Sequence, residues 1–399
     1  MEAMRRKNLQ SIFGLNAIAR FLVLCSLGIN FSNALSFSNE KPTQVGVYYF
    51  GGWQSGYNYH LKQSYSFLLT PAFQNRMPLC GWFNDQEKVV EQEIEWAVKG
   101  GIDFFAFLWY WPDTLGQGET KLNYPLEVFI KTKVRTKNKL NFCIVYTNHG
   151  KFDIGTGTAW THYSGQWLKL MSRRDYQWIK ASRDEISKPL LIIWSPQRFH
   201  DHWQSTSRGA KGAIGELKER AIKHGLPGIN IGGVWEQTGS KDIFKEDGYD
   251  IVTGYGFIGA GNAKVGGFGQ YESLAIGHIA IWDSMTSLKK PIIPIITSGW
   301  DPRPWPEELK GGYYYPDRTP DKFNNFCLLA KNWLNTHENK VVFPKTILIY
   351  AWNELGEGGY IVPTVGDSFA FLDVLNNIFK KKTYQSNVKN RKVGIMKRP

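Results

Sequence analysis

Eight short apolar runs recur along the chain with room for a helix between most of them, and this alternation limits the possible folds more than any other feature. The runs are Val45–Phe50, Ile102–Leu108, Leu140–Tyr146, Pro189–Trp194, Ile229–Val234, Tyr249–Tyr255, Pro291–Thr297 and Lys345–Ala351. Most are apolar throughout rather than alternating with polar residues, as strands covered on both faces should be. Helical spacing or composition occupies Asp85–Val98, Tyr124–Lys137, Gly165–Ala181, Arg208–His224, Tyr271–Leu288, Asp321–Asn335 and Asp367–Lys380, whereas the Trp235–Gly248 gap is too short to assign a helix. The pattern predicts an α/β chain forming a single (β/α)8 TIM barrel over residues 44–378. A doubly wound open sheet is the second choice, and it requires fewer strands or a dinucleotide loop. Gly259-Ala-Gly261-Asn-Ala-Lys264 lacks the third glycine of such a loop, and Gly155-x-Gly157 precedes no obvious helix, so both read as surface loops. Walker, HExxH, CxxC, GxSxG and Asp-x-Asp signatures are absent. His200-Asp-His202 reads as a polar loop after the fourth strand, and neither a metal nor a cofactor is expected.

The first 34 residues have the layout of a signal peptide. Arg5, Arg6 and Lys7 form a basic start, Ser11–Ala19 and Phe21–Ile29 supply apolar stretches broken by Arg20, and Ser32-Asn-Ala34 offers small residues for cleavage. A secreted or periplasmic protein without an integral membrane span is therefore expected. Cleavage leaves Cys80, Cys143 and Cys327, an odd number that implies no disulfide framework. The formal charge of +13 belongs mostly to the chain ends. Residues 1–34 hold four basic and one acidic residue, and the basic tail 380–399 holds eight basic and none acidic, which leaves about +2 for the barrel. Without an interior basic stripe, nucleic acid is not an expected partner.

Chemistry concentrates in Ile349–Gly359, I-Y-A-W-N-E-L-G-E-G-G, where Glu354 and Glu357 follow the last apolar run. The carboxyl ends of barrel strands form the catalytic face, and two carboxyls there can divide general-acid work from base or nucleophile work. A helical turn after the strand would project positions three apart to one side. The same strand ends are rich in aromatics, among them Tyr49, Trp53, Trp109, Trp111, Tyr255 and Trp300, drawn from a chain with 16 tryptophans. Flat apolar faces beside hydrogen-bonding groups suit sugar rings, so the expected partner is an oligo- or polysaccharide substrate. Asn148, His149, Glu236, Asp301, Arg303 and Asn353 supply polar candidates at those ends, with Asp301 and Arg303 also placed to pair with each other. A neighbouring carboxylate and tryptophan-rich walls would raise the pKa of the proton donor.

Four segments carry a resemblance: Val45–Trp53, Gly81–Trp111, Ser298–Pro304 and Ala351–Pro363. Together they resemble the glycoside hydrolase family 99-like domains, which include endo-α-mannosidases and a large set of polysaccharide-cluster proteins named as glycosyltransferases. The closing motif of the wider set, W-N-E-W-G-E-G-x-Y-x-x-P, is matched at Trp352, Asn353, Glu354, Gly356, Glu357, Gly358, Tyr360 and Pro363. Leu355 stands in place of the family's tryptophan. Gly356 stands in place of the mannosidase histidine, so a mannoside substrate is not carried over. The resemblance implies a retaining, endo-acting glycoside hydrolase in which Glu354 deprotonates the sugar 2-hydroxyl and Glu357 protonates the leaving oxygen, then activates water. A 1,2-anhydro-sugar would form, with no glycosyl–enzyme bond. The alternatives are a polysaccharide lyase or glycosyltransferase, and a non-catalytic glycan-binding barrel.

Overall fold

The computed structural model describes residues 43–54, 57–58, 72–114, 121–132, 139–235, 241–263, 267–304 and 313–380. The expected signal peptide 1–34, the tail beyond Lys380, and Glu236 lie outside the described residues.

The eight apolar runs become eight strands: β1 Gln44–Tyr49, β2 Phe104–Trp109, β3 Asn141–Tyr146, β4 Lys188–Ile193, β5 Asn230–Val234, β6 Ile251–Thr253, β7 Ile295–Thr297 and β8 Thr346–Tyr350. All pair in parallel in the order β7-β8-β1-β2-β3-β4-β5-β6. A parallel bridge between Val252 and Ile292 joins β6 to the segment entering β7, with Val252 N–H donating to Pro291 O and Ile293 N–H to Val252 O, each at 2.9 Å. The sheet is thus a (β/α)8 TIM barrel, with one short antiparallel strand, Trp178–Ile179, added beside β4.

Side-chain alternation divides each strand between interior and jacket. On β1, Tyr48 points inward, and its hydroxyl crosses the barrel to the Gly254 carbonyl at 2.7 Å. Tyr49, of opposite parity, points outward to Glu93 on helix α1, Glu87–Lys99. That helix buries Val90, Ile94 and Ala97 at helical spacing against the strands. Phe105 and Phe107 of β2 pack on Phe129 of α2, Tyr124–Lys131. Trp109, two residues further on, packs on Tyr163 and Trp167 of α3, Thr158–Met171.

The remaining helices are α4 Pro196–Gln204 and α5 Gly209–Lys223, the short α6 Ile243–Glu246, α7 Tyr271–Met285, α8 Pro320–Thr336, and α9 Ala370–Leu375 after β8. Helix α4 replaces the loop expected around His200-Asp-His202. Ser195 caps it by accepting from Arg198 N–H at 3.4 Å, Pro196 opens its first turn, and Phe199 and Trp203 form its buried stripe. The two histidines face separate partners, His200 the Asp247 carboxylate and His202 the Ile154 carbonyl, each with a nearest contact of 3.0 Å. Helix α3 begins seven residues before the expected Gly165, because its apolar stripe starts at Trp160. Cys80, Cys143 and Cys327 are free thiols. Among the described residues no helix is long and apolar enough to cross a membrane.

Candidate active site

Beyond β8 the chain forms a tight β-hairpin rather than a helical turn. Asn353 pairs with Tyr360 and Glu354 with Gly359, antiparallel. The turn between them carries Leu355, Gly356, Glu357 and Gly358, and Gly358 takes a φ of +73° where a Cβ would lie 2.8 Å from the Asp301 nitrogen. Only glycine tolerates that backbone and that approach. Both glutamates are buried, Glu354 at 3% exposure and Glu357 at 9%.

Hydrogen bonds from several elements hold the hairpin. Asn353 forms a reciprocal pair with the Phe50 backbone, accepting from its N–H and donating to its carbonyl, both at 2.8 Å. The Trp53 indole donates to the Asn353 carbonyl at 2.7 Å. Arg76 donates to the carbonyls of Leu355 and Asp301 at 3.0 Å and to the Asp301 carboxylate at 2.6 Å, while the Asp301 N–H donates to the Glu357 carbonyl at 2.5 Å.

The hairpin borders a cavity of about 440 Å³ at the carboxyl ends of β4 to β8. Its described wall includes Trp194, Trp235, Tyr255, Trp300, Tyr350 and Glu357. Tyr255 links the two acids, since it lines the cavity and its hydroxyl donates to Glu354 Oε1 at 2.9 Å. Burial pushes both carboxyls up to about 8, with the Tyr255 hydrogen bond pulling Glu354 the other way. The dry wall thus supplies the upward displacement that the sequence suggested.

Of the expected aromatics, Tyr255 and Trp300 stand on this wall. Tyr49 and Trp109 do not, because their strand parity turns them into the helical jacket. Trp53 lies beneath the hairpin against Trp82, and Trp111 is partly exposed with its indole on Asp113. Asn148 and Asn353 serve the backbone instead of the cavity. Asn148 exchanges 2.8 Å hydrogen bonds with the Ser195 N–H and carbonyl, clamping the end of β3 to that of β4. His149 packs on Trp194 with ring centroids 5.0 Å apart, and burial lowers its pKa. Asp301 and Arg303 do pair, at 2.7 and 2.8 Å, and they line a second, polar cavity of about 160 Å³ with Arg76, Arg318 and Asp367.

Sequence reasoning missed Arg76, Tyr350 and the segment Gly256–Ala260, which lines the cavity and whose last two residues open the stretch Gly259–Lys264 expected as a surface loop. Tyr350 had a signal. It shares strand parity with Leu348, which pairs in register with the inward-facing position Gly46. The Gly256–Ala260 segment had one also, since it follows a barrel strand at its carboxyl end.

The fold and site define a (β/α)8 barrel with two buried glutamates beside an aromatic-walled cavity at the carboxyl ends of its strands. The chain belongs to the family described as Glycosyltransferase WbsX, whose model matches residues 72–375. Solved structures similar to it include a glycoside hydrolase-like protein, at 13% identity and a TM-score of 0.59, covering 88% of this chain and 98% of that one. Another is the GH99 endo-alpha-mannosidase from Bacteroides thetaiotaomicron, at 13% identity and a TM-score of 0.57, covering 84% of this chain and 97% of that one. These likenesses concern the fold, and they agree with the family 99-like resemblance of the sequence. No curated protein matches the chain.

Proposed function

We propose that this protein is an exported, glycan-active enzyme, an endo-acting retaining glycoside hydrolase in which Glu354 and Glu357 share the work. The carrying observation is the arrangement around Tyr255. One buried acid, Glu357, lines an aromatic cavity, and the other, Glu354, accepts a hydrogen bond from that cavity's tyrosine. A hydroxyl donating to a carboxylate favours its ionised form, and Glu354 is the acid of the pair with such a donor in Tyr255. That makes Glu354 the base for the sugar 2-hydroxyl and leaves Glu357 protonated to serve the leaving oxygen. The 2-oxygen attacks the anomeric carbon as the glycosidic bond breaks, forming the 1,2-anhydro-sugar. Glu357, now ionised, takes a proton from the water that opens it, and Glu354 returns its proton to the 2-oxygen. Configuration at the anomeric carbon is retained.

The test is Glu354→Gln and Glu357→Gln against a panel of neutral, uronic and sulfated polysaccharides, following reducing ends and ultraviolet absorbance in parallel. Each substitution should lower turnover by about three orders of magnitude or more, in the range of losses seen when acid–base groups are removed, with glycan binding kept. Near-normal turnover in either variant removes the assignment. The family description favours a second reading, glycosyl transfer by the same pair. It predicts a longer glycan and no new reducing ends when an acceptor sugar is supplied.

A further inference from the structure

The second, polar cavity carries more positive charge than its described wall neutralises. Arg76, Arg303 and Arg318 line it against two carboxylates, Asp301 and Asp367, and none of its other described lining residues is charged. Asp301 serves two of the three cations: its Oδ2 accepts from Arg76 Nη2 at 2.6 Å and Arg303 Nη2 at 2.8 Å, and its Oδ1 accepts from Arg303 Nε at 2.7 Å. Arg318 pairs with Asp367 at 2.7 Å. One guanidinium charge is left over where Arg76, Arg318 and Asp301 keep only between 7% and 10% of their side-chain surface open. Burial lowers the Arg76 pKa against the pull of Asp301, and the like charges of Arg318 and Arg303 lower it further. A charge held largely out of water without a counter-ion is costly, and an anion entering the cavity removes that cost.

Arg303 is the cation best placed to meet a ligand. Its side chain is 44% exposed, and Asp301 takes its Nε and Nη2, which leaves Nη1 outside the pair. Because the guanidinium is a rigid fork, fixing one edge aims the other. It lies over the Tyr314 ring at 4.4 Å, and Tyr314 pairs in a short parallel ladder with Phe268, which is 70% exposed with its ring centroid 6.4 Å away. Open aromatic faces beside a fixed cationic donor suit a sugar ring that carries an anion. The catalytic cavity is adjacent. Trp300, Tyr313 and Glu357 line that one and Asp301, Tyr315 and Gly358 line this one, so three stretches of backbone contribute to both.

We propose that the second cavity and its aromatic margin form a subsite for an acidic sugar residue, its carboxylate or sulfate ester held by Arg303 and its ring against Phe268 and Tyr314. That this sugar belongs to the polymer cleaved next door rests on the proposed hydrolase reading, whereas the oxyanion site itself does not.

The experiment titrates the full chain, followed by NMR at low ionic strength, with methyl glucuronoside, methyl galactoside 6-sulfate, their neutral parents methyl glucoside and methyl galactoside, and inorganic sulfate. At least one acidic ring should bind about ten- to a hundredfold more tightly than its neutral parent, the range of a hydrogen bond to a charged group. It should also bind more tightly than inorganic sulfate, and its affinity should fall as salt is added. Arg303→Gln should remove most of the preference over the neutral parent while the circular dichroism stays unchanged, since Arg76 still holds Asp301. Phe268→Ala should weaken the acidic ring severalfold and leave inorganic sulfate unaffected. Equal binding of both acidic rings and their parents, inorganic sulfate binding as tightly as either acidic ring (an adventitious ion only), an unchanged preference in Arg303→Gln, an unchanged affinity in Phe268→Ala, or no binding at all would each overturn the proposal. Cleavage is scored separately on acidic and neutral polymers. Acidic-ring binding with no polymer cleaved counts against the hydrolase reading alone, and cleavage without acidic-ring binding counts against the subsite alone.

Discussion

At the residue scale, one constraint on the two glutamates comes from a side chain that touches neither carboxyl in the hydrogen bonds described. Arg76 is 6% exposed and holds the hairpin from below through the Leu355 and Asp301 carbonyls, and Asp301 in turn holds the Glu357 carbonyl. A planar guanidinium can serve two carbonyls and a carboxylate at once, whereas an ammonium cannot reproduce that fork. Arg76 is therefore a positioning residue. Arg76→Lys should retain the ion pair with Asp301 and the fold, yet lower kcat by about ten- to a hundredfold through misplacement of the acids, with KM changed far less. The pH dependence of kcat/KM should move with it. An Arg76→Lys enzyme that loses thermal stability but keeps wild-type kcat and pH profile would show a role in folding only.

At the element scale, asparagines imitate a neighbouring strand where the barrel strands end. Asn353 with Phe50, Asn148 with Ser195 and Asn123 with Tyr110 each accept from a backbone N–H and donate to the carbonyl of the same residue. Asn353→Asp keeps shape and acceptor but removes the donor to Phe50 O, and it places a second acceptor against a carbonyl. It should cost about 1–3 kcal/mol, the usual penalty for a buried polar group left unpaired, read as a lower urea midpoint with unchanged slope. Activity should fall only as the hairpin loosens.

These clamps also explain what the sequence could and could not convey. The eight strands were legible because buried parallel strands write themselves as unbroken apolar runs, and the two glutamates because they follow the last run directly. Which strand-end side chains reach the cavity was not legible without parity: Tyr49 and Tyr48 are adjacent, yet one meets Glu93 in the jacket and the other crosses the interior. Asn148 and Asn353 look like substrate ligands by position, and their backbone partners lie 47 and 303 residues away. Arg76 precedes α1 in an unpatterned stretch, so nothing local tied it to Leu355. Helix α4 escaped notice because only Pro196, Phe199 and Trp203 mark its buried face in nine residues.

At the scale of the whole molecule, three buried glutamates make stability depend on pH in an unusual direction. Burial raises Glu93 to about 7 and both Glu354 and Glu357 to about 8. In the unfolded chain these groups release their protons near the ordinary glutamate value, about 4.3. Between that value and their folded values the native state holds protons that the unfolded state has lost, so their contribution is full in acid and drains away as pH rises to about 8. His278, buried with its two nitrogens on Leu274 O and Thr297 Oγ1 at 2.8 Å, acts oppositely. Its pKa falls to about 4, so its contribution is present above the ordinary histidine value and is lost as pH falls toward 4. Above pH 6.5 the histidine contribution is constant and the glutamates dominate. Urea unfolding should therefore show stability declining from pH 6.5 to 8.5, with each pKa unit of a single group corresponding to about 1.4 kcal/mol. Glu357→Gln removes one of the three groups. Its unfolding midpoint should exceed that of the wild type increasingly from pH 6.5 to 8.5 and approach it near pH 4.5, where the wild-type carboxyl is protonated in the folded chain. A constant difference across that range would mean that Glu357 is already ionised in the native state. It would then not be the group that carries the proton to the leaving oxygen.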